Sequence, residues 1–182
     1  MYTAVEKIIR IKDRDFRLAI PSARIQERIG DIADRMNSEL RDKDPLFISV
    51  LNGAFLFTAD LVRRLDFSCG ISFVRTASYS GTASTGKVQE LIGMNENVQG
   101  RTVVIIEDIV DSGLTLARLH EVLSAKAPAE IRVATLLFKP LAYKGRLKPD
   151  YVGMEVPNDF LVGYGLDYDG QGRNLNDIYS AI

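Results

Sequence analysis

Apolar residues along this chain form short continuous runs that are separated by longer segments with helical spacing. The run at 103–106 consists of four aliphatic residues with mostly β-branched side chains, which is typical of a strand buried on both faces of a parallel sheet. The same reasoning predicts buried strands at 46–51 and 131–138. Alternation of apolar and polar residues predicts a strand at 69–77, and shorter strands are predicted at 151–156 and 161–164.

Three segments have the spacing of helices. The first begins at Pro21-Ser22 and ends before Asp44-Pro45. Its apolar residues recur at helical spacing with charges between them, which predicts one buried face. These residues are Ile25, Ile29, Ile32, Ala33, Met36 and Leu40. Two more helices are predicted at 54–65 and 114–125. Because strands and helices alternate, the pattern predicts an α/β fold with a mostly parallel sheet and right-handed crossovers.

Two regions do not follow this alternation. Residues 8–11 and 16–20 flank a charged turn and form either short strands or an irregular cover. Residues 78–97 are polar and Gly-rich with little apolar periodicity, and a segment of this length predicts a mobile functional loop or a hairpin excursion.

Composition narrows the class of protein. The 182 residues suit one domain with a sizeable core, and 46% hydrophobic and 26% charged residues are ordinary for a soluble globular protein. A net charge of −1 and a pI of about 5.9 argue against a nucleic-acid binder with a basic surface. The single Cys69 excludes an internal disulfide framework and is compatible with a reducing cytoplasm. Neither a signal peptide nor a run of membrane-spanning length is recognisable.

The stretch after the 103–106 run carries the clearest candidate chemistry. Glu107 and Asp108 follow the run directly, and then come Asp111, Ser112 and the segment 113–115 (Gly, Leu, Thr), which opens the third predicted helix. The N–H groups and dipole of a helix N-terminus favour an anion, whereas three carboxylates repel a bare phosphate. A ligand with phosphate at one end and hydroxyls or a metal-bound group at the other satisfies both features. A sugar phosphate is such a ligand.

This stretch closely resembles the phosphoribosyl-pyrophosphate signature of type I phosphoribosyltransferases. That signature is an aliphatic strand, two acidic residues, two further residues, an Asp, and a small Gly/Thr-rich phosphate loop. The alternative interpretation is a buried strand with solvated acids at its end, which does not account for so long an ordered pattern.

A second glycine-rich segment, 81–87 (GTASTGK), matches most of a P-loop. Val88 occupies the position of the Ser/Thr that would hold magnesium, and the Gly- and Asn-containing residues after it make a poor helix. A P-loop needs that helix to bind phosphates, so a nucleotide triphosphatase is disfavoured.

Further segments, in the same order along the chain, extend the resemblance to hypoxanthine-guanine phosphoribosyltransferases. Asn52-Gly53 resembles the pyrophosphate-binding turn, often with a cis peptide, and Ser78-Tyr79 the start of the long catalytic loop. Lys139-Pro140 resembles the base-recognition lysine. The remaining matches are Phe160 and Leu161 to Asp167 in the hood, and Arg173 beyond it. Asn52 departs from members with Lys or Arg there, so the side chain cannot supply a charge to pyrophosphate.

The resemblance implies transfer of a 5-phosphoribosyl group from its pyrophosphate to N9 of hypoxanthine or guanine, with Mg²⁺ as cofactor. It implies that Asp111 is the general acid/base and that a closing 78–89 loop excludes water. It assigns the phosphoribosyl group to Glu107, Asp108, Asp111, Ser112, Gly113, Leu114 and Thr115. It assigns the base to Lys139, Phe160, Leu161 and Asp167. It assigns pyrophosphate to Asn52, Gly53, Ser78, Tyr79 and Arg173, and the metal to Glu107, Asp108 and Asp167.

The resemblance also implies a single domain with a core of about 22–140 and a small hood of about 1–21 and 141–182. A cytoplasmic homodimer or homotetramer is expected, with no nucleic-acid or membrane partner. Two alternatives stay open at this point. One is a relative that uses xanthine or another 6-oxopurine, and the other is a non-catalytic regulator on the same fold that binds the donor or a nucleotide.

Overall fold

The computed structural model describes residues 7–76, 91–92 and 96–182 and arranges them as two sheets and three helices. The elements are β1 (Ile8–Ile11), β2 (Arg14–Ile20), α1 (Ser22–Leu40), β3 (Leu46–Leu51), α2 (Phe55–Val62), β4 (Gly70–Thr76), β5 (Leu91–Ile92), β6 (Thr102–Val110), α3 (Leu114–Ser124), β7 (Glu130–Phe138), β8 (Tyr151–Glu155), β9 (Leu161–Val162) and β10 (Ile178–Ala181).

The larger sheet has the strand order β5-β4-β3-β6-β7-β8. Neighbours from β4 to β8 pair in parallel, and β5 is antiparallel to β4. Successive side chains of β6 point to opposite faces, so Val104 and Ile106 pack with α1 and α2 while Val103 and Ile105 pack with α3. Helices therefore cover both faces, and the predicted α/β class is confirmed.

Helix α1 confirms the apolar pattern read from the sequence. All six residues predicted to face the core are buried. Helix α2 is shorter than predicted and ends at Val62, because residues 63 and 64 close it with turn-type hydrogen bonds to Leu61.

The smaller sheet is antiparallel, has the order β1-β2-β10-β9, and forms the predicted hood from segments far apart in the chain. Its core is the cluster Ile11, Phe16, Val162 and Tyr179. Strand β10 was not predicted. The predicted hood range of 141–182 needs a correction, because β8 pairs with β7 and so completes the larger sheet.

The strand that carries the acidic pair Glu107 and Asp108 also differs from its prediction at one boundary. Strand β6 does not end before the acidic pair but continues to Val110, since Glu107, Ile109 and Val110 pair with β7.

The predicted loop 78–97 lies mostly outside the described residues. Within the described part of the chain, no helix has the length and apolar character needed to cross a membrane.

Candidate active site

Glu107 and Asp108 lie inside β6 near its carboxyl end, where adjacent positions face opposite sides of the sheet. The side chain of Glu107 is buried, with the residue 5% exposed. Burial raises the pKa of Glu107 well above its ordinary value, and the charge of Asp108 raises it further. A carboxyl group in this position readily holds a proton and can then donate as well as accept a hydrogen bond.

Asp108 lies against the turn that follows β3. Its Oδ1 accepts the Ile109 N–H at 2.9 Å. A Cβ on residue 53 would lie 1.6 Å from Asp108 Oδ2, so only glycine fits there. Burial raises the pKa of Asp108 to about 6, against the opposing effects of the Ile109 N–H and the Arg173 charge. The site thus holds a carboxyl group whose pKa lies well above that of a free aspartate.

The turn at Asn52-Gly53 has a cis peptide bond between Leu51 and Asn52, as the resemblance implies. Asn52 is exposed, and the turn leads directly into α2. A Cβ on Gly165 would lie 2.1 Å from the Gly53 carbonyl oxygen, so backbone from the hood end of the chain meets this turn closely. The turn therefore contacts both the acidic strand and the hood segment.

Lys139 and Asp111 form an ion pair at the ends of β6 and β7. Lys139 Nζ lies 3.0 Å from Asp111 Oδ2, and the Lys139 N–H donates to the Val110 carbonyl at 3.0 Å. Lys139 is 8% exposed, whereas the Asp111 side chain is 52% exposed. A buried ammonium is thus held next to a carboxylate that solvent or a ligand can reach.

The predicted phosphate loop leads into α3 at Leu114. Gly113 immediately before the helix has φ +84°, a left-handed conformation that favours glycine. Ser112 Oγ accepts the Leu114 N–H at 3.5 Å, which leaves its hydroxyl hydrogen available to a ligand. Leu114 and Thr115 are exposed. The N–H groups of the first turn have no partner within the helix and are suited to an anion.

A pocket of about 230 Å³ lies where these elements meet. It is lined by Asp108, Ile109, Asp111, Lys139, Phe160, Leu161, Leu166 and Asp167. All five of the residues assigned to base binding or general acid/base catalysis are among them. Ile109 and Leu166 were missed, because an apolar residue between functional ones carries no sequence signal that separates it from the core.

Phe160 forms the exposed aromatic part of this pocket, with 44% of its surface accessible. Its ring packs on Phe16 and edge-on against Tyr168, with centroid distances of 6.4 and 5.8 Å. The Arg14 guanidinium lies 5.4 Å from the ring centroid. Arg14 and Phe16 belong to β2, so the N-terminal part of the hood holds the ring in place. The sequence gives no sign of this long-range contact.

Asp167 and Arg173 are joined within the hood end of the chain. Arg173 contacts Asp167 Oδ1 at 2.6 Å and also donates to the Gly165 carbonyl at 2.6 Å. The Gly170 N–H donates to the other Asp167 oxygen at 2.7 Å. The two residues are thus oriented together beside Asp108, whose pKa responds to both.

The structure does not bring the three predicted metal ligands together. Among residues 7–76, 91–92 and 96–182, no group of three or more His, Cys, Asp or Glu side chains could hold a metal ion. Asp108 and Asp167 line the same pocket, but Glu107 does not. The reason is the strand itself, which directs Glu107 and Asp108 to opposite faces. Two carboxylates still suit Mg²⁺, which commonly takes one or two from a protein and the rest of its ligands from phosphates and water.

Ser78 and Tyr79, the closing loop 78–89 and the P-loop-like segment 81–87 lie outside the described residues. These assignments stay predictions.

Comparisons with known proteins agree with this geometry. The phosphoribosyl transferase domain family matches residues 21–169. The hypoxanthine-guanine phosphoribosyltransferase of Bacillus subtilis (strain 168) is 41% identical over 160 residues, covering 87% of this chain and 89% of that protein. The enzyme of the same name from Mycobacterium tuberculosis (strain ATCC 25618 / H37Rv) is 41% identical over 166 residues, covering 87% and 82%.

Solved structures are equally similar. A hypoxanthine phosphoribosyltransferase from Staphylococcus aureus has a TM-score of 0.84 at 33% identity, covering 91% of this chain and 90% of that one. A variant of the hypoxanthine phosphoribosyltransferase from Trypanosoma cruzi, in a ternary substrates complex, has a TM-score of 0.83 at 33% identity, covering 91% and 94%. The signature at the end of β6, the fold and these similarities lead to one conclusion: the chain belongs to the phosphoribosyltransferase family.

Proposed function

We propose that this phosphoribosyltransferase serves purine salvage and converts hypoxanthine or guanine, with 5-phosphoribosyl pyrophosphate, to IMP or GMP and pyrophosphate. The observation that carries the proposal is the pocket in which Lys139 and Asp111 form an ion pair at 3.0 Å beside Phe160 and the acidic end of β6. The names of the similar proteins point to the same reaction.

Asp111 and Lys139 take the roles that handle the base. In the reaction the N9 lone pair attacks C1′ of the ribose, the bond from C1′ to the pyrophosphate oxygen breaks, and the N7 proton passes to the Asp111 carboxylate. The Lys139 ammonium donates to the 6-oxo group and compensates the Asp111 charge. Support for this division comes from their exposure, because Asp111 is accessible to a ligand while Lys139 is buried.

Phe160 and Leu161 complete the base site. Phe160 stacks on the purine ring, and the Leu161 carbonyl accepts a hydrogen bond from N1 or from an exocyclic amine. The accessible surface of Phe160 and the packing that fixes its ring support the first role. A ring already held in place loses little conformational entropy when a base binds.

The phosphoribosyl donor extends from this pocket in two directions. Its 5′-phosphate binds the segment from Asp111 to Thr115, where the start of α3 and the glycine with positive φ form an anion site. Asp108, which lines the pocket, holds the ribose hydroxyls. Glu107, which is buried on the other face of β6, is assigned to them by the resemblance. The pyrophosphate binds Arg173 and the Asn52-Gly53 backbone. This assignment is supported by the close approach of Gly53 to Asp108 and Gly165, and by the hydrogen bond from Arg173 to the Gly165 carbonyl.

The acidic residues of the pocket fit a magnesium cofactor. Asp108 and Asp167 offer carboxylate oxygens on one side of the pocket, and the pKa of Asp108 is raised by burial, with a further contribution from Asp167. Mg²⁺ supplies charge neutralisation and orientation of the pyrophosphate leaving group. The chain's own part is to hold these two carboxylates and Arg173 in fixed positions.

Nucleotide formation from donor, magnesium and each of hypoxanthine, guanine, xanthine and adenine tests the proposal. IMP and GMP should form readily, and AMP should not. Xanthosine monophosphate as the main product would assign the enzyme to the xanthine type. Binding of the donor without turnover of any base would assign the chain to the regulators.

A homodimer or homotetramer stays part of the proposal. It is supported by Ile71 and Phe73, which leave β4 on one face and are 44% and 43% exposed. Light scattering coupled to size-exclusion chromatography would measure the assembly. The cytoplasmic location stays a prediction from the resemblance.

A further inference from the structure

Tyr143 lies next to the site but has no part in the mechanism above. It follows β7 in a turn, and its N–H donates to the Lys139 carbonyl at 3.1 Å. The hydroxyl donates to the Leu147 carbonyl. The ring meets Phe138 edge-on, with centroids 5.3 Å apart and an interplanar angle of 68°. Backbone, hydroxyl and ring contacts together fix the position of this side chain.

The fixed ring fills the space between two glycines. A Cβ on Gly113 would lie 2.3 Å from Cε2 of Tyr143. A Cβ on Gly145 would lie 2.5 Å from its hydroxyl oxygen. Gly113 is the residue with φ +84° that turns the chain into α3. The aromatic ring thus occupies the place where any other residue at 113 would carry its side chain.

A second contact joins the same two segments. The Lys144 N–H donates to the Ser112 carbonyl at 3.3 Å. The turn that begins at Lys139 therefore holds the phosphate loop through one ring contact and one backbone hydrogen bond, although about 30 residues separate the segments along the chain.

We propose that Tyr143 is a positioning residue that sets the affinity for the phosphoribosyl donor by holding Gly113 in the conformation that directs the α3 N-terminus at the 5′-phosphate. The proposal deepens, and rests on, the proposed function of that loop. Glycine has more accessible backbone conformations than any other residue, so an unsupported Gly113 would have to be ordered each time the donor binds. The ring provides that order in advance.

If Tyr143 has this role, its replacement should change KM for the donor much more than KM for the base. The ring lies against Gly113 of the phosphate loop, whereas Tyr143 meets Lys139 through its backbone N–H, which both Leu and Phe at that position keep. Replacing Tyr143 by Leu should therefore raise KM for the donor by about tenfold, since small misplacements of a binding group are costly. KM for hypoxanthine should stay within about twofold. Tyr143→Phe keeps the ring and should retain most of the donor affinity and of kcat, whereas a role for the hydroxyl in catalysis would lower kcat.

The experiment compares the full-length wild type, Tyr143→Leu, Tyr143→Phe and a control, with thermal melting to establish that each is folded. Leu141→Ala is the matched control, because Leu141 lies in the same turn and is 82% exposed. An unchanged donor KM in a folded Tyr143→Leu variant would overturn the proposal. An equal rise in KM for donor and base would do so too.

Gly145→Ala keeps the proposal testable if Tyr143→Leu does not fold. The added methyl group would lie 2.5 Å from the Tyr143 hydroxyl and displace the ring while leaving the ring and the loop chemically intact. Donor KM should rise about fivefold, and no rise with a displaced ring, seen as a changed tyrosine fluorescence, would contradict the proposal.

Calorimetric titration with 5-phosphoribosyl pyrophosphate and Mg²⁺ separates this proposal from the proposed function. A wild type that binds the donor but makes no nucleotide would refute the function, and the Tyr143 variants would still report on the loop through Kd. A wild type that does not bind the donor would refute both.

Discussion

Replacing Lys139 by Gln should weaken the choice of hypoxanthine over adenine. The ammonium is a donor without acceptor capacity, so it satisfies a 6-oxo group but faces the two N–H donors of a 6-amino group. A Gln side chain offers both a carbonyl acceptor and an amide donor. The substitution therefore changes the chemistry read at position 6 while keeping a polar side chain of similar length.

The expected change in base preference can be estimated from the exposure of the Lys139 and Asp111 side chains. Lys139 is 8% exposed, so an adenine amine placed against it would leave a buried donor unpaired. Such a group costs about 1–3 kcal/mol, or roughly 5- to 150-fold in kcat/KM. The loss of the Asp111 contact adds little, because the Asp111 side chain is 52% exposed and water can replace the partner. The ratio of kcat/KM for hypoxanthine to that for adenine should fall by this factor.

Steady-state kinetics with each base at saturating donor would measure that ratio. Donor KM should change little, since Lys139 does not belong to the phosphate loop. Lys148→Gln is the matched control, because Lys148 is an exposed lysine further along the same segment. Wild-type kcat/KM for hypoxanthine together with undiminished rejection of adenine would show that another residue reads position 6.

Three other changes test the rest of the site. Asp111→Asn should lower kcat by about 10²–10⁴-fold while donor Kd changes little, as expected for the loss of a general acid/base, and an unchanged kcat would remove Asp111 from proton transfer. Activity should vanish in excess EDTA, and Asp167→Ala should raise the magnesium concentration needed for half-maximal activity; full activity in EDTA would refute the cofactor. The raised pKa of Asp108, about 6 against 3.8, means that its protonation stabilises the fold fully below pH 3.8 and that this contribution is lost as pH rises through 6. Asp108→Asn should therefore raise Tm at pH 7.5 and much less at about pH 4, and a pH-independent difference would contradict the assigned burial.

Much of the fold could be predicted because the apolar residues of its core recur at the regular spacing of a helix or a strand. The six apolar residues of α1 recur at helical spacing, and each is buried where that spacing places it. The boundaries of β6 were harder, since an acidic pair normally marks a strand end and here the pairing with β7 continues past it. Strand β10 was missed because four residues of mixed polarity become a strand only through their pairing with β2 and β9.

The residues of the site also fall into those that the sequence could predict and those that it could not. Residues of the signature could be found because their chemistry and order are unusual along the chain. The metal set of Glu107, Asp108 and Asp167 stays a prediction, although the period of two in a strand separates the side chains of Glu107 and Asp108. The Arg14 contact with Phe160 and the Tyr143 contact with Gly113 could not have been found, since each joins segments distant in sequence and involves residue types that are common on any surface.

The pairing of β2 with β10 has a consequence for the order of folding during synthesis. The larger sheet needs residues only up to β8, so it can assemble while later residues are still being added. The hairpin of β1 and β2 is synthesised before the larger sheet, yet its neighbour β10 is made more than 150 residues later. The Phe160 carbonyl accepts the Ala181 N–H of that late strand, so the hood segment that carries Phe160 is completed only when β10 docks. A nascent chain can therefore have a folded larger sheet before its hood sheet is complete, and the hairpin of β1 and β2 stays without its neighbour until β10 is made.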